Sequence, residues 1–299
     1  MASTRVSSRP PTARTRPPTR PAGKRRHARR RARRRAFGPF LLIAALVALV
    51  TFVWNHREEV AKPLASHCTV PGSDLSLTTE QTANAATIAA VARSRGLPAR
   101  ATVIALATAQ QESRLRNLDY GDRDSLGLFQ QRPSQGWGTP GQVQDPVYAA
   151  GKFFDHLVEV PGWETGRLTE VSQTVQRSGF PEAYQQWEPM ASTLAGALLS
   201  TAPALLTCGF TPAAATGSVA ERTAVLTDAV RREAGAPTVG SDGAISVAGA
   251  GWPEANWAVA HAERFQLTAV LMDGWRWTPE GGWEQTPSAF ALPLQLRLT

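Results

Sequence analysis

The chain is poor in the side chains on which most metal, redox and nucleophilic chemistry depends. It has two cysteines and five histidines in 299 residues, and no histidine stands at metal-ligand spacing with a cysteine or a carboxylate pair. It contains no Gly-x-Ser-x-Gly nucleophile elbow and no phosphate-binding Gly-x-x-x-x-Gly-Lys sequence. We therefore expect no metal ion and no cofactor, and the sequence argues against serine hydrolases and P-loop enzymes.

Acidic residues are absent from the first 36 positions, which hold 14 of the 32 lysines and arginines. The other 18 basic residues accompany 24 acidic ones, so the rest of the chain has a net charge of −6 although the whole carries +8. The basic segment is rich in Pro, Arg, Ser and Thr, which predicts a disordered cytoplasmic tail over 1–36. Because an apolar run follows it, we expect contact with anionic lipid headgroups and no specific nucleic acid.

The apolar run covers residues 37–54, contains no charge and has an aromatic residue at each end. Its length is near the lower limit for a helix that crosses a hydrocarbon core of ~30 Å. A signal peptide is the alternative, but Asn55-His56-Arg57-Glu58-Glu59 follows and no small-residue cleavage site is seen. We predict one transmembrane helix over 37–54 in a single-pass protein of the cell membrane, with everything after residue 55 extracellular.

The two cysteines, Cys68 and Cys208, both fall in the predicted extracellular portion, where a disulfide persists. A bridge between them would close a loop of about 140 residues. The chain-entropy description gives a stabilisation of up to ~5 kcal/mol for such a loop. Two unrelated thiols are the alternative, and we predict the bridge.

Helix signals dominate residues 78–208, after a linker predicted over 55–77. Helix starts are marked by a capping box at Thr78, by an N-cap aspartate at Asp145 and by a proline that opens the helix at Pro98 and Pro181. A polar, Gly-rich segment over 116–144 lacks a periodic signal, and such segments are often functional. At about 130 residues the block is long enough to hold one core.

The remainder predicts a helix and linker over 209–240 and a small α+β domain over 241–299. Two alternating stretches, 267–272 and 275–278, flank Asp273-Gly274, which is a strong hairpin signal. A further strand is predicted from Phe290 to Leu298. Five tryptophans fall in this domain, namely Trp252, Trp257, Trp275, Trp277 and Trp283. Core packing is the simpler account of them, and a sugar-stacking surface is the alternative.

The main chemical signal is a glutamate at the end of a predicted helix. Glu112 stands in Gln111-Glu112-Ser113 and is followed fifteen residues later by Gly127-Leu128-Phe129-Gln130. Burial at the end of an apolar helix disfavours the charged form and raises the pKa toward neutrality. The neutral acid can then protonate a glycosidic oxygen. A water-exposed glutamate is the alternative for Glu112 considered by itself.

These elements resemble the lysozyme-like fold of lytic transglycosylases and goose-type lysozymes. In that family a helix ends in Glu-Ser, a turn carries Gly-Leu-Met-Gln and a later helix carries Ala-Tyr-Asn. Here the turn has Phe129, and Ala183-Tyr184-Gln185 has Gln where the family usually has Asn. The resemblance covers roughly residues 78–205. It implies a mainly α fold, with a lysozyme-like helical domain over 78–208 before the small C-terminal α+β domain.

The resemblance also implies a role for each matching residue. Glu112 would be the acid that protonates the leaving oxygen and then the base. Ser113 would form hydrogen bonds beside it at the helix end. Gly127 would allow the turn that brings Gln130 against the site. Tyr184 would line the cleft and form a hydrogen bond near Glu112.

Two features leave open which reaction the candidate site would catalyse. Residues 130–138 depart from the family's pattern, and Trp137 there could stack on a sugar or cover the core. Inverting hydrolysis needs a second carboxylate ~6.5–9.5 Å from the first. The candidates are Asp119, Asp122 and Asp124. The alternatives for these aspartates are a solvated acidic loop and a calcium site that lacks the full ligand spacing. The transglycosylase route needs one carboxyl, because the substrate's N-acetyl group and 6-hydroxyl complete the reaction. We expect peptidoglycan as the substrate, and a catalytically inactive cell-wall-binding or scaffold protein is the alternative.

Overall fold

The computed structural model of the protein describes residues 66–287 and 293–298, which all belong to one compact unit. The predicted tail over 1–36, the predicted transmembrane helix over 37–54, the first part of the linker over 55–77 and residues 290–292 of the predicted last strand lie outside those residues. Within the described ranges, no helix has both the length and the apolar composition that crossing a bilayer requires.

Helices make up most of the first half of this unit. Their bounds are α1 Thr79–Ser94, α2 Ala99–Ser113, α3 Pro140–Val143, α4 Pro146–Leu157, α5 Leu168–Gln176 and α6 Glu188–Leu198. Short 3-10 helices at Pro133–Gln135 and Gln185–Trp187 precede α3 and α6. The second half adds α7 Val219–Glu233, α8 Trp252–Ala260 and α9 Ala262–Phe265.

The strands of the described residues form two antiparallel sheets. A three-stranded sheet, in the order β2-β1-β3, consists of β1 His67–Thr69, β2 Ser76–Thr78 and β3 Thr207–Gly209. A six-stranded sheet, in the order β4-β5-β9-β6-β7-β8, consists of β4 Pro237–Val239, β5 Ile245–Val247, β6 Leu267–Met272, β7 Trp275–Thr278, β8 Gly282–Gln285 and β9 Leu294–Leu298.

The predicted fold class, mainly α with a transmembrane helix and a small α+β domain, is wrong. Sheets of three and six antiparallel strands make the unit α+β, and nothing in the described residues supports the transmembrane helix. The unexpected strands are only three or four residues long, which is too short to show an alternating pattern. Two of them, β1 and β3, also pair with each other over a long distance in the sequence, since His67 of β1 lies opposite Gly209 of β3. Tertiary pairing therefore creates these two strands, and local sequence does not reveal them.

Local signals did identify several helix starts. Thr78 and Asp145 cap α1 and α4 with side-chain hydrogen bonds, which confirms those two predictions, and Ser218 caps α7 in the same way. The helix predicted to begin at Pro181 begins instead at Glu188, after a 3-10 turn. The capping residues thus fix where α1, α4 and α7 begin.

Helix α1 lies at the centre of the core. It is buried from Ala83 to Ala92 and packs against α2 and α4 on one side and α8 on the other. The predicted disulfide is present and joins β1 to β3, where Cys68 lies directly opposite Cys208. The bridge therefore connects the strand that precedes the helices of the first half to the strand that follows them.

The tryptophans of the C-terminal part belong to its core. Trp252, Trp257 and Trp277 are buried. Trp275 and Trp283 pack edge-on against Trp252, with ring centroids 6.4 and 5.1 Å from it. All five therefore lie in the core of this part or pack against it.

Candidate active site

Glu112 occupies the last turn of α2, one residue before the helix ends. The helix stops because Arg114 adopts the left-handed conformation. The turns before Glu112 are buried, so its carboxyl lies at the edge of the core. Burial raises the pKa of the Glu112 carboxyl, while hydrogen bonds from Tyr184 and Gln176 oppose part of that rise. The net effect is a pKa above the ordinary glutamate value, which is the direction that the sequence predicted.

Tyr184 holds the carboxyl in place. Its hydroxyl donates to Oε1 of Glu112 at 2.6 Å, and the tyrosine is fully buried. Burial, together with the charge of Glu112, raises the pKa of Tyr184, so the phenol remains a hydrogen-bond donor. The predicted hydrogen bond between them is present although Gln185 stands where the family usually has Asn.

Two further contacts hold the start of α6 against α2, one near each end of α2. Trp187 donates from Nε1 to Oε1 of Gln111 at 2.7 Å. Arg100, in the first turn of α2, forms an ion pair with Glu188 in the first turn of α6. Because the two helices are joined at both places, the tyrosine and the carboxyl are held at a fixed separation.

A cleft of about 980 Å³ opens over the Glu112 carboxyl. Its lining residues come from the loop over 122–137, from residues 156–161 at the end of α4 and from residues 174–179 at the end of α5. The volume lies at the upper end of the range of about 300–1,000 Å³ that ligand pockets have. An extended substrate could therefore reach the carboxyl.

The Gly-Leu-Phe-Gln turn is attached to the end of α2 through Ser113. The Ser113 hydroxyl lies 2.7 Å from the carbonyl oxygen of Leu128 and 3.1 Å from that of Ala109. Gly127 has a φ of +76°, and a Cβ there would lie 2.3 Å from the carbonyl oxygen of Val143. Only glycine fits this close approach, as the resemblance implied.

Gln130 lines the cleft, but its side-chain amide forms hydrogen bonds within the loop. Its Nε2 donates to the carbonyl oxygens of Tyr120 at 3.2 Å and Gly127 at 3.3 Å. Phe129, which replaces the methionine of the family's pattern, is fully buried and stacks on Phe153 with ring centroids 4.7 Å apart. The turn therefore contributes Leu128 and Phe129 to the core and Gln130 to the cleft wall.

Trp137 lies between the core and the cleft. It packs partly against the core and also lines the cleft, with its ring 4.5 Å from that of His156. The two rings are tilted by 58°. A half-buried indole in the wall of an open cleft can stack on a sugar ring, so sugar binding by Trp137 stays a prediction.

The three aspartates of the loop after α2 have different surroundings. Asp124 accepts hydrogen bonds from the Ser134 backbone N–H at 2.8 Å and from Arg132, which hold its pKa well below the ordinary range. Asp122 lines the cleft, whereas Asp119 is exposed outside its lining. Among the described residues, these aspartates included, no group of three or more His, Cys, Asp or Glu side chains could hold a metal ion.

No sequence motif marks Gln176, the second hydrogen-bond partner of the Glu112 carboxyl. Gln176 ends α5, and its Nε2 also donates to the carbonyl oxygen of Phe129 at 2.8 Å. A buried hydrogen bond from Thr108 to Ser172, of 2.9 Å, sets α5 against α2. Further cleft residues without a sequence signal are Arg123, Arg132, His156, Glu159 and Arg177.

Comparison with known proteins assigns no family to this chain. The sequence matches no protein-family model and no curated protein. The resemblance to lysozyme-like proteins therefore rests on the Glu-Ser, Gly-Leu-Phe-Gln and Ala-Tyr elements, and it stays a prediction.

Proposed function

We propose that the protein cleaves the glycan strands of peptidoglycan, with Glu112 as a single general acid and base. The observation that carries the proposal is the hydrogen bond from Tyr184 to a partly buried carboxyl beneath an open cleft. Burial favours the protonated form, which an acid catalyst must have before it reacts. The lysozyme-like motifs around Glu112 direct the proposal toward a peptidoglycan substrate.

The first step is protonation of the glycosidic oxygen. Tyr184 engages Oε1 of Glu112, which leaves Oε2 to carry the proton. A carboxylate develops as the proton departs, and the hydrogen bonds from Tyr184 and Gln176 stabilise that charge. The hydrogen bonds that lower the pKa of Glu112 in the free protein therefore also stabilise the transition state.

The second step needs a nucleophile at the anomeric carbon. One carboxyl suffices when the substrate's N-acetyl group assists and its 6-hydroxyl attacks, because the Glu112 carboxylate accepts the hydroxyl proton. The product then ends in a 1,6-anhydro ring. Inverting hydrolysis would require Asp122 or Glu159 to activate water, and both of these cleft residues are exposed. We therefore favour the route with one carboxyl.

The test uses the full-length chain and purified cell-wall sacculi. We expect the wild-type chain to release soluble fragments with 1,6-anhydro ends, and Glu112→Gln to reduce that release by at least about 100-fold, as for loss of a general acid. Glu159→Gln makes the same chemical change in the same cleft and should retain most of the activity. Fragments that carry only reducing ends would replace the transglycosylase route by hydrolysis.

An inactive wall-binding protein with the same fold would behave differently. The wild-type chain would release no fragments, and it would sediment with sacculi to the same extent as the Glu112→Gln variant. That pair of results would overturn cleavage and leave binding as the function of the cleft.

A further inference from the structure

Four residues with polar groups meet in the core, outside the lining of the cleft. Glu233 is the last residue of α7, and only 7% of its side chain is exposed. It contacts Thr87 of α1 and Trp257 of α8. His261, which stands between α8 and α9, lies beside them, and these three residues are buried. We call the four residues the Glu233 cluster. The proposed function makes no use of it.

The contacts of the Glu233 cluster form one continuous chain. Trp257 donates from Nε1 to Oε2 of Glu233 at 2.8 Å, and the Thr87 hydroxyl lies 2.7 Å from the same oxygen. Nε2 of His261 lies 3.3 Å from the Thr87 hydroxyl oxygen. Nδ1 of His261 lies 2.9 Å from the carbonyl oxygen of Trp257. Since Nε2 is 4.0 Å from Oε2 of Glu233, Thr87 links the imidazole to the carboxyl.

These contacts need one more proton than a carboxylate and a neutral imidazole supply. The contact between Nδ1 of His261 and the Trp257 carbonyl uses the single ring proton of a neutral imidazole, because a carbonyl oxygen cannot donate. Two contacts remain, from His261 to Thr87 and from Thr87 to Glu233, and the threonine hydroxyl has one proton for both. The further proton comes either from an imidazolium or from a protonated Glu233.

Burial favours the arrangement without charge. An ion is costly to remove from water, and burial lowers the pKa of His261, although the charge of Glu233 opposes that change. In the uncharged arrangement Glu233 donates to Thr87, Thr87 donates to Nε2 of His261, and Nδ1 donates to the Trp257 carbonyl. Each contact then has its proton, and Oε2 of Glu233 still accepts from the indole N–H of Trp257.

Few charges act on the cluster from the elements packed against it. Among the described residues, the charged groups that act on His261 are Glu233 and Arg264 of α9, and Arg264 opposes an imidazolium. Other charged side chains of these elements have partners elsewhere: Glu80 with Arg116, Arg93 with Glu254, Arg231 with Asp228, Arg232 with Asp145, Arg297 with Asp242, and Glu263 with the hydroxyls of Ser66 and Thr79.

We propose that the Glu233 cluster holds one buried proton between His261, Thr87 and Glu233, and that this proton holds the end of α7 against α1 and α8. Of the fifteen residues of α7, only Leu226 and Val230 are buried, so the helix depends on its polar contacts. When alkaline pH removes the proton, the hydroxyl of Thr87 has one proton for two acceptors. One contact is then lost and the end of α7 loosens. The inference does not depend on the proposed function.

The buried proton gives folding a pH dependence of defined sign. In the unfolded chain an ordinary glutamate has lost its proton above about pH 4.3, and an ordinary histidine above about pH 6.5. The folded cluster still holds one proton at higher pH, so folding takes up a proton there. The folding equilibrium constant should therefore fall about tenfold per pH unit above about pH 7.5, until the folded cluster also loses its proton.

Nuclear magnetic resonance of the full-length chain, labelled with 15N-histidine, locates the protons. The signals of His261 are those lost in His261→Gln. At about pH 8, above both ordinary values, we expect a proton on Nδ1 and a bare Nε2 that accepts a hydrogen bond. An imidazolium at this pH would also confirm the buried proton. A bare Nε2 without a hydrogen bond, or a bare Nδ1, would overturn the inference, because neither form needs a further proton.

Urea unfolding between about pH 7.5 and about pH 9, above the ordinary histidine value, measures the proton uptake. The parent chain carries Glu112→Gln, which removes the other carboxyl whose pKa burial raises. We expect the folding equilibrium constant of the parent to fall about tenfold more per pH unit than that of a chain with Glu233→Gln added, because glutamine takes up no proton. Glu284→Gln, the same change at an exposed residue of β8, should leave the dependence of the parent unchanged.

Hydrogen exchange tests the effect on α7. Protection of its last turn should fall with pH more steeply in the parent chain than in the chain with Glu233→Gln. Parallel pH dependences of the two chains, in unfolding or in exchange, would overturn the inference. The resonance measurement requires no substitution within the cluster apart from its assignment, so it decides the question even when Glu233→Gln does not fold. Fragment release from sacculi enters none of these measurements, so the proposed function fails separately.

Discussion

The Tyr184 hydroxyl donates to Oε1 of Glu112 across 2.6 Å, from a residue 72 positions later in the chain. The bond joins the end of α2 to the turn that precedes α6. Burial raises the pKa of Glu112, and the hydrogen bond from Tyr184 opposes part of that rise. The position of one hydroxyl therefore sets part of the balance between the acid and base forms of the site.

We predict that Tyr184→Phe moves the basic limb of the pH–activity profile to higher pH and lowers the maximal rate. The ring remains, but the charged form of Glu112 loses a stabilising hydrogen bond, so its pKa rises further. Because the protonated acid is the reactive form, activity then persists to higher pH. The carboxylate that develops during the reaction loses the same bond, and we expect kcat to fall about 10- to 100-fold.

Rates of fragment release between about pH 4 and about pH 9 would show both effects, since this range spans the ordinary glutamate value and the region above it. Tyr148→Phe is the matched control, because it removes a tyrosine hydroxyl outside the cleft lining. It should leave the profile in place. A basic limb at the same pH in Tyr184→Phe and the wild-type chain would contradict the coupling between the two residues.

A second prediction concerns stability. Glu112→Gln should stabilise the fold relative to the wild-type chain by an amount that grows as the pH rises. The folded pKa of Glu112 is raised above the ordinary value of 4.5, so the folded wild-type protein binds the proton more strongly than the unfolded chain. Burying the charged carboxylate destabilises the folded protein fully when the pH is above the folded pKa of Glu112, and not at all when it is below the unfolded pKa. Each unit of difference between these two pKa values corresponds to about 1.4 kcal/mol of unfolding free energy.

Glutamine carries no charge at any pH and nearly preserves the shape of glutamate, so the variant avoids this cost. Urea unfolding of both proteins at about pH 4 and about pH 8 brackets the window from the ordinary glutamate pKa upward. The difference in the free energy of unfolding should be larger at the higher pH. A difference that is independent of pH, or that shrinks as the pH rises, would show that the carboxyl is not held in its neutral form.

The features that could be predicted from the sequence depend on residues that are close together in the chain. A capping box needs only four consecutive residues, so the start of α1 at Thr78 was visible. The β6–β7 hairpin was equally visible, because Asp273 and Gly274 both adopt positive φ in the turn between the strands. In contrast, β1 and β3 are three residues each and pair across most of the helical segment. Their existence depends on the tertiary fold, and the fold-class prediction failed there.

The candidate site likewise contains some residues that a local motif reveals and others that depend on tertiary packing. Glu112, Ser113 and Gly127 stand in short motifs, and the structure places Tyr184 against Glu112 and the Gly-Leu-Phe-Gln turn against Ser113. Gln176 has no motif, because any glutamine at the end of an amphipathic helix looks the same in sequence. Its contact with the carboxyl depends on how α5 packs against α2, which no spacing along the chain specifies.

A third prediction uses two glycines with similar backbones and different surroundings. Gly127 and Gly96 have φ of +76° and +66°, so alanine is strained at both by roughly 1–2 kcal/mol. A Cβ at Gly127 would lie 2.3 Å from the Val143 carbonyl oxygen, whereas a Cβ at Gly96 meets nothing within 4 Å. We expect Gly127→Ala to reduce the free energy of unfolding by over about 3 kcal/mol, including overpacking, and to impair fragment release.

Gly96→Ala should cost only the backbone strain and leave activity unchanged. Denaturant unfolding and sacculus digestion, performed on both variants, separate the two contributions. Equal destabilisation by the two substitutions would mean that the turn carrying Gln130 can move away from Val143, and the close approach would then not be required for the site.

The fourth prediction concerns the disulfide between β1 and β3. Cys68 and Cys208 are buried, and their bridge closes a loop of 140 residues that contains α1 to α6. Replacing both by alanine frees that loop in the unfolded chain and should lower the free energy of unfolding by about 2–5 kcal/mol. Neither cysteine lines the cleft, so fragment release under conditions where the variant remains folded should match that of the wild-type chain.

Reduction separates the bridge from the packing of its sulfur atoms. A reducing agent should lower the stability of the wild-type chain toward that of the double alanine variant and should leave the variant unchanged. The remaining difference between the reduced wild-type chain and the variant then measures the side-chain volume removed from the core. A reduced wild-type chain as stable as the oxidised one would show that β1 and β3 stay paired without the covalent link, and that constraint of the unfolded loop contributes little to this fold.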